Sequence, residues 1–194
     1  LTDINKDQIA SRPILEGFKQ RDWEVMLLSD PVDEWLVMSL KEYDEAPLQS
    51  VSHGELPESE DNEESQKDRA AAEPLVDWLN NLFDTEVEEV RLSNRLTDSP
   101  SIFVNKEGSM SSNMENILRS ANQDFGETKK VLEINPAHPM VKTLSRLNNE
   151  GKTGLDGFAR LLLDHAEISE GQLSDPQAFA GRLQALMEKA AENL

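Results

Sequence analysis

The chain has 194 residues and no cysteine, and its 19 Lys and Arg stand against 38 Asp and Glu for a net charge of -19. So acidic a chain repels nucleic acid and anionic membranes, because phosphate binding needs Lys and Arg to displace counterions. The lack of cysteine rules out disulfides, thiolate metal sites and cysteine nucleophiles, and no apolar run approaches the ~20 residues that span a bilayer. The opening residues do not carry the pattern of a secretory signal, and Leu1-Thr2-Asp3 reads as the middle of something longer.

Residues 1–52 read as a small α/β unit. Ile9 to Phe18 carries helical spacing. Glu24-Val25-Met26-Leu27-Leu28-Ser29 is a continuous apolar run of strand length, the pattern of a strand covered on both faces. Asp30-Pro31 is a turn with Pro placed to open a helix, and Val32, Leu36, Leu40 and Tyr43 recur at helical spacing. Residues 53–69 are acidic and nearly free of apolar groups, so they read as a linker running into a helix. That helix gains its apolar spacing at Leu75, Leu79 and Leu82-Phe83. The remainder, 70–194, reads as a second domain. Val87 to Leu92 and Ile102-Phe103-Val104 predict two strands joined near Asp98-Ser99-Pro100, and Val131-Leu132-Glu133-Ile134 predicts a third. A helix lies between the second and third. Asn135-Pro136 predicts another helix, with Asn as N-cap and Pro in its first position. Two more follow, over roughly 154–168 and 175–192.

Catalysis finds no support in these patterns. His53, His138 and His165 are too far apart for a local metal site. Asp30, Asp33 and Glu34 are an acidic cluster that a hydrolase could use, but acids in the first turn of a helix also answer the helix dipole. Gly151, Gly154 and Gly157 lack the Lys-Ser/Thr of a phosphate loop.

Association is better supported. Phe179, Leu183, Leu186, Met187, Ala190 and Leu194 fall on one stripe of the last helix. Ser174-Asp175-Pro176-Gln177 gives that helix a capping-box start. The helix before it carries Leu155, Phe158, Leu161, Leu162, Leu163 and Ala166, and a helix apolar on more than one face needs more than one neighbour. Two such helices either join those of a second chain in a four-helix bundle or fold onto their own sheet, and the pattern alone does not choose. A second stripe, Met110, Met114, Ile117, Leu118 and Ala121, is set among polar residues. Methionine suits surfaces that accept varied partners. Trp35 stands off the centre of its own helical stripe.

Taken in order, Ser29-Asp30-Pro31-Val32-Asp33-Glu34-Trp35, Gln49-Ser50-Val51, Arg95-Leu96-Thr97-Asp98-Ser99-Pro100, Leu132-Glu133-Ile134-Asn135-Pro136, Leu161-Leu162-Leu163-Asp164 and Asp175-Pro176 closely resemble the heat-shock protein 90 chaperones, and the bacterial branch above all. The likeness runs from about residue 12 to the end and is weakest over 53–69. It implies an α+β fold: the end of a middle domain, then a dimerisation domain with a short three-stranded sheet and terminal helices forming a four-helix bundle in the homodimer. It implies a dimer interface at Leu155, Phe158, Leu162, His165, Phe179, Leu183, Leu186, Met187 and Ala190. It also implies client contact at Glu34, Trp35, Met110, Met114, Ile117 and Leu118. Partners would be unfolded clients and other chaperones, in the cytoplasm. ATP and Mg would belong to an N-terminal domain outside this sequence, leaving no cofactor here and no catalytic residue. Glu45-Ala46-Pro47 departs from the glycine-containing turn of the family. The competing readings are a dimeric acidic adaptor with one dedicated partner and a hydrolase built on Asp30, Asp33 and Glu34.

Overall fold

The computed structural model describes every residue except 3–8, 31, 55, 58–62, 112–113, 116, 119–127 and 193–194. Pro31, Ala121, Leu194 and much of the acidic tract of 53–69 therefore lie outside the described residues.

The first segment is less regular than its sequence suggests. Ile9–Ser11 and Pro13–Leu15 are single 3₁₀ turns, followed by a short helix α1, Glu16–Gln20. Pro13 holds Arg12 in an extended conformation and so prevents one continuous helix. The apolar run 24–29 does not form a strand. Leu28 alone bridges, in parallel, to Thr2, its N–H donating to the Leu1 carbonyl at 2.9 Å. A strand of that composition needs a neighbour on each side, and among the described residues only Leu1 and Thr2 run beside it. Met26 and Leu27 stay exposed.

Helix α2, Asp33–Ser39, stops short of Tyr43, which lies instead in a hairpin of β1, Glu42–Tyr43, with β2, Ala46–Pro47. Asp44 and Glu45 form its turn with φ of 50° and 63°. Those are the angles of a type I′ turn, which usually takes Asn-Gly; this chain closes it without glycine.

The second segment has a full core. Helix α3, Glu63–Leu82, begins inside the stretch expected as linker. Strands β3, Glu89–Leu92, β4, Ser101–Val104, and β5, Val131–Ile134, form one sheet in the order β3-β5-β4. The first two strands are consecutive in sequence but not neighbours. β5 lies between them, parallel to β3 and antiparallel to β4. All four β5 residues are buried, as a central strand requires. The edge of β3 is covered by Asn80, whose amide accepts from Val90 N–H at 2.7 Å and donates to the Val90 carbonyl at 2.9 Å. That pairing blunts an otherwise open strand.

Helix α4, Pro139–Asn149, starts three residues later than Asn135-Pro136 predicts. His138 is its N-cap, with Nδ1 accepting from Met140 N–H at 3.1 Å, and Pro139 takes the first position. Asn135 instead accepts from Ala137 N–H and donates to the carbonyls of Thr97 and Ser99. Helices α5, Asp156–Ser169, and α6, Pro176–Glu192, fall within two residues of the predicted spans. Leu75, Leu79, Leu132, Ile134, Val141 and Leu162 are fully buried at the centre of the core.

A smaller cluster joins the two segments: Ile14, Leu15 and Val51 pack against Leu96, Ile102, Val104 and Val131. The fit is close at Gly17, where a β-carbon would come within 2.6 Å of the Arg95 Cα. Arg95 is itself buried. Its Nε donates to Glu133 at 2.9 Å, and its other nitrogens reach the carbonyls of Val51 and Gly54. Arg91 and Ser93 complete the shell around the buried Glu133 carboxylate. Burial of so many charges is sustained only by such complete pairing.

Candidate functional site

Two apolar surfaces remain after the core is built, one on each segment. The first is on α2. Asp30 Oδ1 accepts from Val32 N–H at 3.1 Å and Asp33 Oδ2 from Asp30 N–H at 2.9 Å, so both carboxylates close the turn that opens the helix. Glu34 points the other way and is 2% exposed. The three acids of the expected cluster therefore do not converge on a shared point. The outward face presents Val32, Trp35, Leu36 and Met38, with Trp35 53% exposed.

Glu34 reaches the second stripe. Its Oε2 accepts from the Ser111 hydroxyl at 2.9 Å, and Ser111 Oγ accepts from Met114 N–H at 3.0 Å. Ser111 thus caps the turn on which Met114, Glu115, Ile117 and Leu118 are helical. Upstream, His53 places its Nδ1 2.9 Å from the Ser50 hydroxyl and its Nε2 2.9 Å from the Ser109 carbonyl, pinning the approach to Met110. The carbonyl fixes the proton on Nε2. Met114 is buried, whereas Met110, Ile117 and Leu118 are half-buried. Of the six residues expected at a client, Glu34 and Met114 thus face the protein. Trp35 projects outward, and the other three stand at a partly open surface. Sequence reasoning missed Ser111 and His53, although Ser111 three residues before Met114 has the spacing of an N-cap.

The second surface is on the terminal helices. Leu155, which precedes the first turn of α5, and Leu162 within it are packed in the chain's own core, and Phe158 lies against it. His165 is half-buried. Its Nδ1 is 3.1 Å from the Ser101 carbonyl, which makes that nitrogen the donor. In α6, by contrast, no described residue is buried. Phe179 and Leu186 are half-covered, while Leu183, Met187 and Ala190 are exposed, Met187 to 64%. Ala180, Leu183, Met187 and Ala191 line a shallow apolar groove.

Titratable groups cluster where the two segments meet. Burial raises the Glu16 carboxyl, but hydrogen bonds from the Ser99 hydroxyl and the N–H groups of Asp98, Thr97 and Ser99 outweigh it, so its pKa lies below the usual value. His138 is lowered by burial and then by His165, against the pull of Glu16. His165 is lowered by burial, against the Ser101 carbonyl and Glu16. Among the described residues no group of His, Asp and Glu could hold a metal ion, and no helix is long and apolar enough to cross a membrane.

The family model for Hsp90 protein matches residues 1–193. The chain is 44% identical over 183 residues to the chaperone protein HtpG of Methylococcus capsulatus, covering 91% of this chain and 28% of that protein. It is 42% identical over 181 residues to HtpG of Ruthia magnifica, covering 90% and 28%, and 36% identical over 196 residues to HtpG of Geobacter metallireducens, covering 96% and 30%. The chain therefore spans less than a third of the length of these relatives.

Proposed function

The chain belongs to the Hsp90 protein family, and from that premise we propose that it is the homodimerisation and client-holding part of a molecular chaperone. The observation that carries this reading is α6: a helix of 17 residues with no described residue buried, whose exposed Leu183, Met187 and Ala190 share one stripe. A second copy of the same face would cover those residues and complete a four-helix bundle with the two α5 helices. Leu155 and Leu162 belong to the chain's own core and are not offered to a second copy; Phe158 and His165, both half-buried, stand at the margin of the bundle.

The client surface in this reading is the outward face of α2 with Trp35, together with Met110, Ile117 and Leu118. Glu34 and Met114 support it from inside. Apolar and weakly directional contacts there would accept many non-native sequences, and the acidic surroundings would favour basic ones. Other chaperones could share the same face. ATP and Mg have no step in this reading, and no residue of the chain is assigned a catalytic role. The cysteine-free sequence is compatible with the cytoplasm, where the reading puts the protein.

Sedimentation equilibrium over a wide concentration range tests the first half. A species of twice the 21.8 kDa chain mass that gives way to monomer only at the lowest concentrations is expected, and a monomer throughout would sink the dimer. Suppression of aggregation of several unrelated unfolded proteins tests the second half. Trp35→Ser with Met110→Ser should leave the dimer intact and weaken capture, and undiminished capture would remove these residues from the surface. Binding of one protein alone would favour a dedicated adaptor.

A further inference from the structure

A helix with no fully buried residue has little core to set its rotation. Yet the α6 stripe is unevenly covered: Phe179 and Leu186 are half-buried while Leu183 and Met187 are exposed. The side chain on the inward face between Phe179 and Leu186 is Arg182. Its Nε and Nη2 donate to the two carboxylate oxygens of Asp164 at 2.8 and 2.7 Å. Asp164 lies on α5 and its side chain is only 4% exposed. A planar, two-pronged pair with one partner buried is the most orientation-specific ionic contact a protein makes. Positions 182 and 183 lie about 100° apart round the helix. A rotation of that size would turn Leu183 inward and carry Arg182 away from Asp164.

The near end of the helix is fixed independently. Ser174 donates its N–H and hydroxyl to Glu167 at 2.8 and 2.9 Å, and Asp175 Oδ1 accepts from Ala178 N–H at 2.9 Å. Asp175, not Ser174, is thus the cap. With the turn pinned at Glu167 and the helix pinned about two turns along at Asp164, both direction and rotation are set.

We propose that Asp164 and Arg182 are a positioning pair that holds α6 in one rotation on the isolated chain, presenting Leu183 and Met187 ready-made to a second copy. The second half of this statement rests on the dimer reading above; the first half does not. Presentation of a rigid face lowers the ordering cost of association, so loss of the pair weakens the dimer without any change at the interface residues.

The absence of native cysteine allows a direct test. Spin labels on Thr143→Cys in α4 and Ala185→Cys in α6, with labelled chains diluted into unlabelled ones, report the distance between the core and the last helix. A single narrow distribution is expected, broadened in Arg182→Gln. That variant leaves a buried carboxylate uncompensated, so Asp164→Asn is measured beside it, with melting of the chain below its dissociation concentration as the control on folding. Both variants should raise the dimer Kd by on the order of tenfold or more, and Arg182→Lys, which keeps the charge but loses the fork, should also weaken it. Unchanged distance distributions overturn the positioning role whatever the oligomeric state. Broadened distributions with an unchanged Kd overturn its link to association. A wild-type chain that is monomeric at every concentration, yet shows the broadening in the variants, leaves the positioning pair standing and overturns the dimer reading instead.

Discussion

Helices α5 and α6 look alike in sequence, both rich in Leu, Ala and Phe, yet α5 buries Ala159, Leu162, Leu163 and Ala166 while α6 buries none of its described residues. Apolar composition alone therefore does not tell a core helix from an associating one. What separates them is the neighbour each finds in its own chain: α5 lies on β4 and β5 and has its inner face filled, whereas α6 packs along α5 and leaves Leu183 and Met187 uncovered. The same contrast recurs where α2 meets the 110–118 stripe, since Met114 is buried there and Trp35 is not.

The largest effect should come from the core side of that comparison. Leu162→Ala removes a fully buried side chain and should cost about 2–5 kcal/mol, lowering the urea midpoint equally at all protein concentrations. A cost that disappears on dilution would mean that Leu162 works between chains, and the distinction between the two helices would fail. Leu183→Ala and Met187→Ala make the opposite prediction. Neither should move the unfolding of the dilute monomer by more than about 0.5 kcal/mol, as for exposed positions generally, while each should raise the dissociation constant of the dimer. Sedimentation of the variants beside their chemical denaturation separates the two effects. Where α2 meets the 110–118 stripe, Met114→Ala removes a buried side chain and should cost about 2–5 kcal/mol. Trp35→Ala should leave stability nearly unchanged. Equal costs at the two positions would show that Trp35 is covered in solution.

The sequence made much of this legible. The three strands and the last two helices stand close to where periodicity and the Pro and Gly punctuation predict them, because each is a local pattern answered by local packing. The misses have physical causes. The run 24–29 carries the composition of a doubly covered strand, but composition cannot supply its neighbours. The cap of α4 was displaced because Asn135-Pro136 and His138-Pro139 bear the same polar-then-proline signature, and only the hydrogen bonds of Asn135 to Thr97 and Ser99 decide between them. Glu34 is charged and so reads as exposed; its burial depends on Ser111, 77 residues away. Arg182 and Asp164 are 18 residues apart on different helices, beyond the reach of any helical spacing rule. The two apolar stripes were visible from the sequence, but their division into covered and uncovered halves depends on tertiary contacts.

The smallest effect concerns the joint between the segments and is one of pH. His138 accepts a backbone hydrogen bond through Nδ1, so its cap requires the neutral ring. Both His138 and His165 have pKa values below the ordinary histidine value in the folded chain. Between those lowered values and about 6.5, the unfolded chain binds more protons than the folded one. The contribution of both groups is therefore complete above about pH 6.5 and is lost as pH falls through the folded values. Glu16, whose pKa is also depressed, acts in a lower window: its contribution is present above the unfolded carboxylate value of about 4.3 and is lost only as pH falls through its folded value. Urea midpoints of the dilute chain should decline from pH 7.5 to pH 5.5. The double variant His138→Asn with His165→Asn keeps a cap acceptor and a donor toward Ser101, and it should flatten that decline without lowering the value at pH 7.5 by a comparable amount. An undiminished slope in the double variant would assign the acid sensitivity to other groups. A slope that vanishes would show that the joint, where both imidazoles sit near the Glu16 carboxylate, is the part of the molecule that carries its response to mild acid.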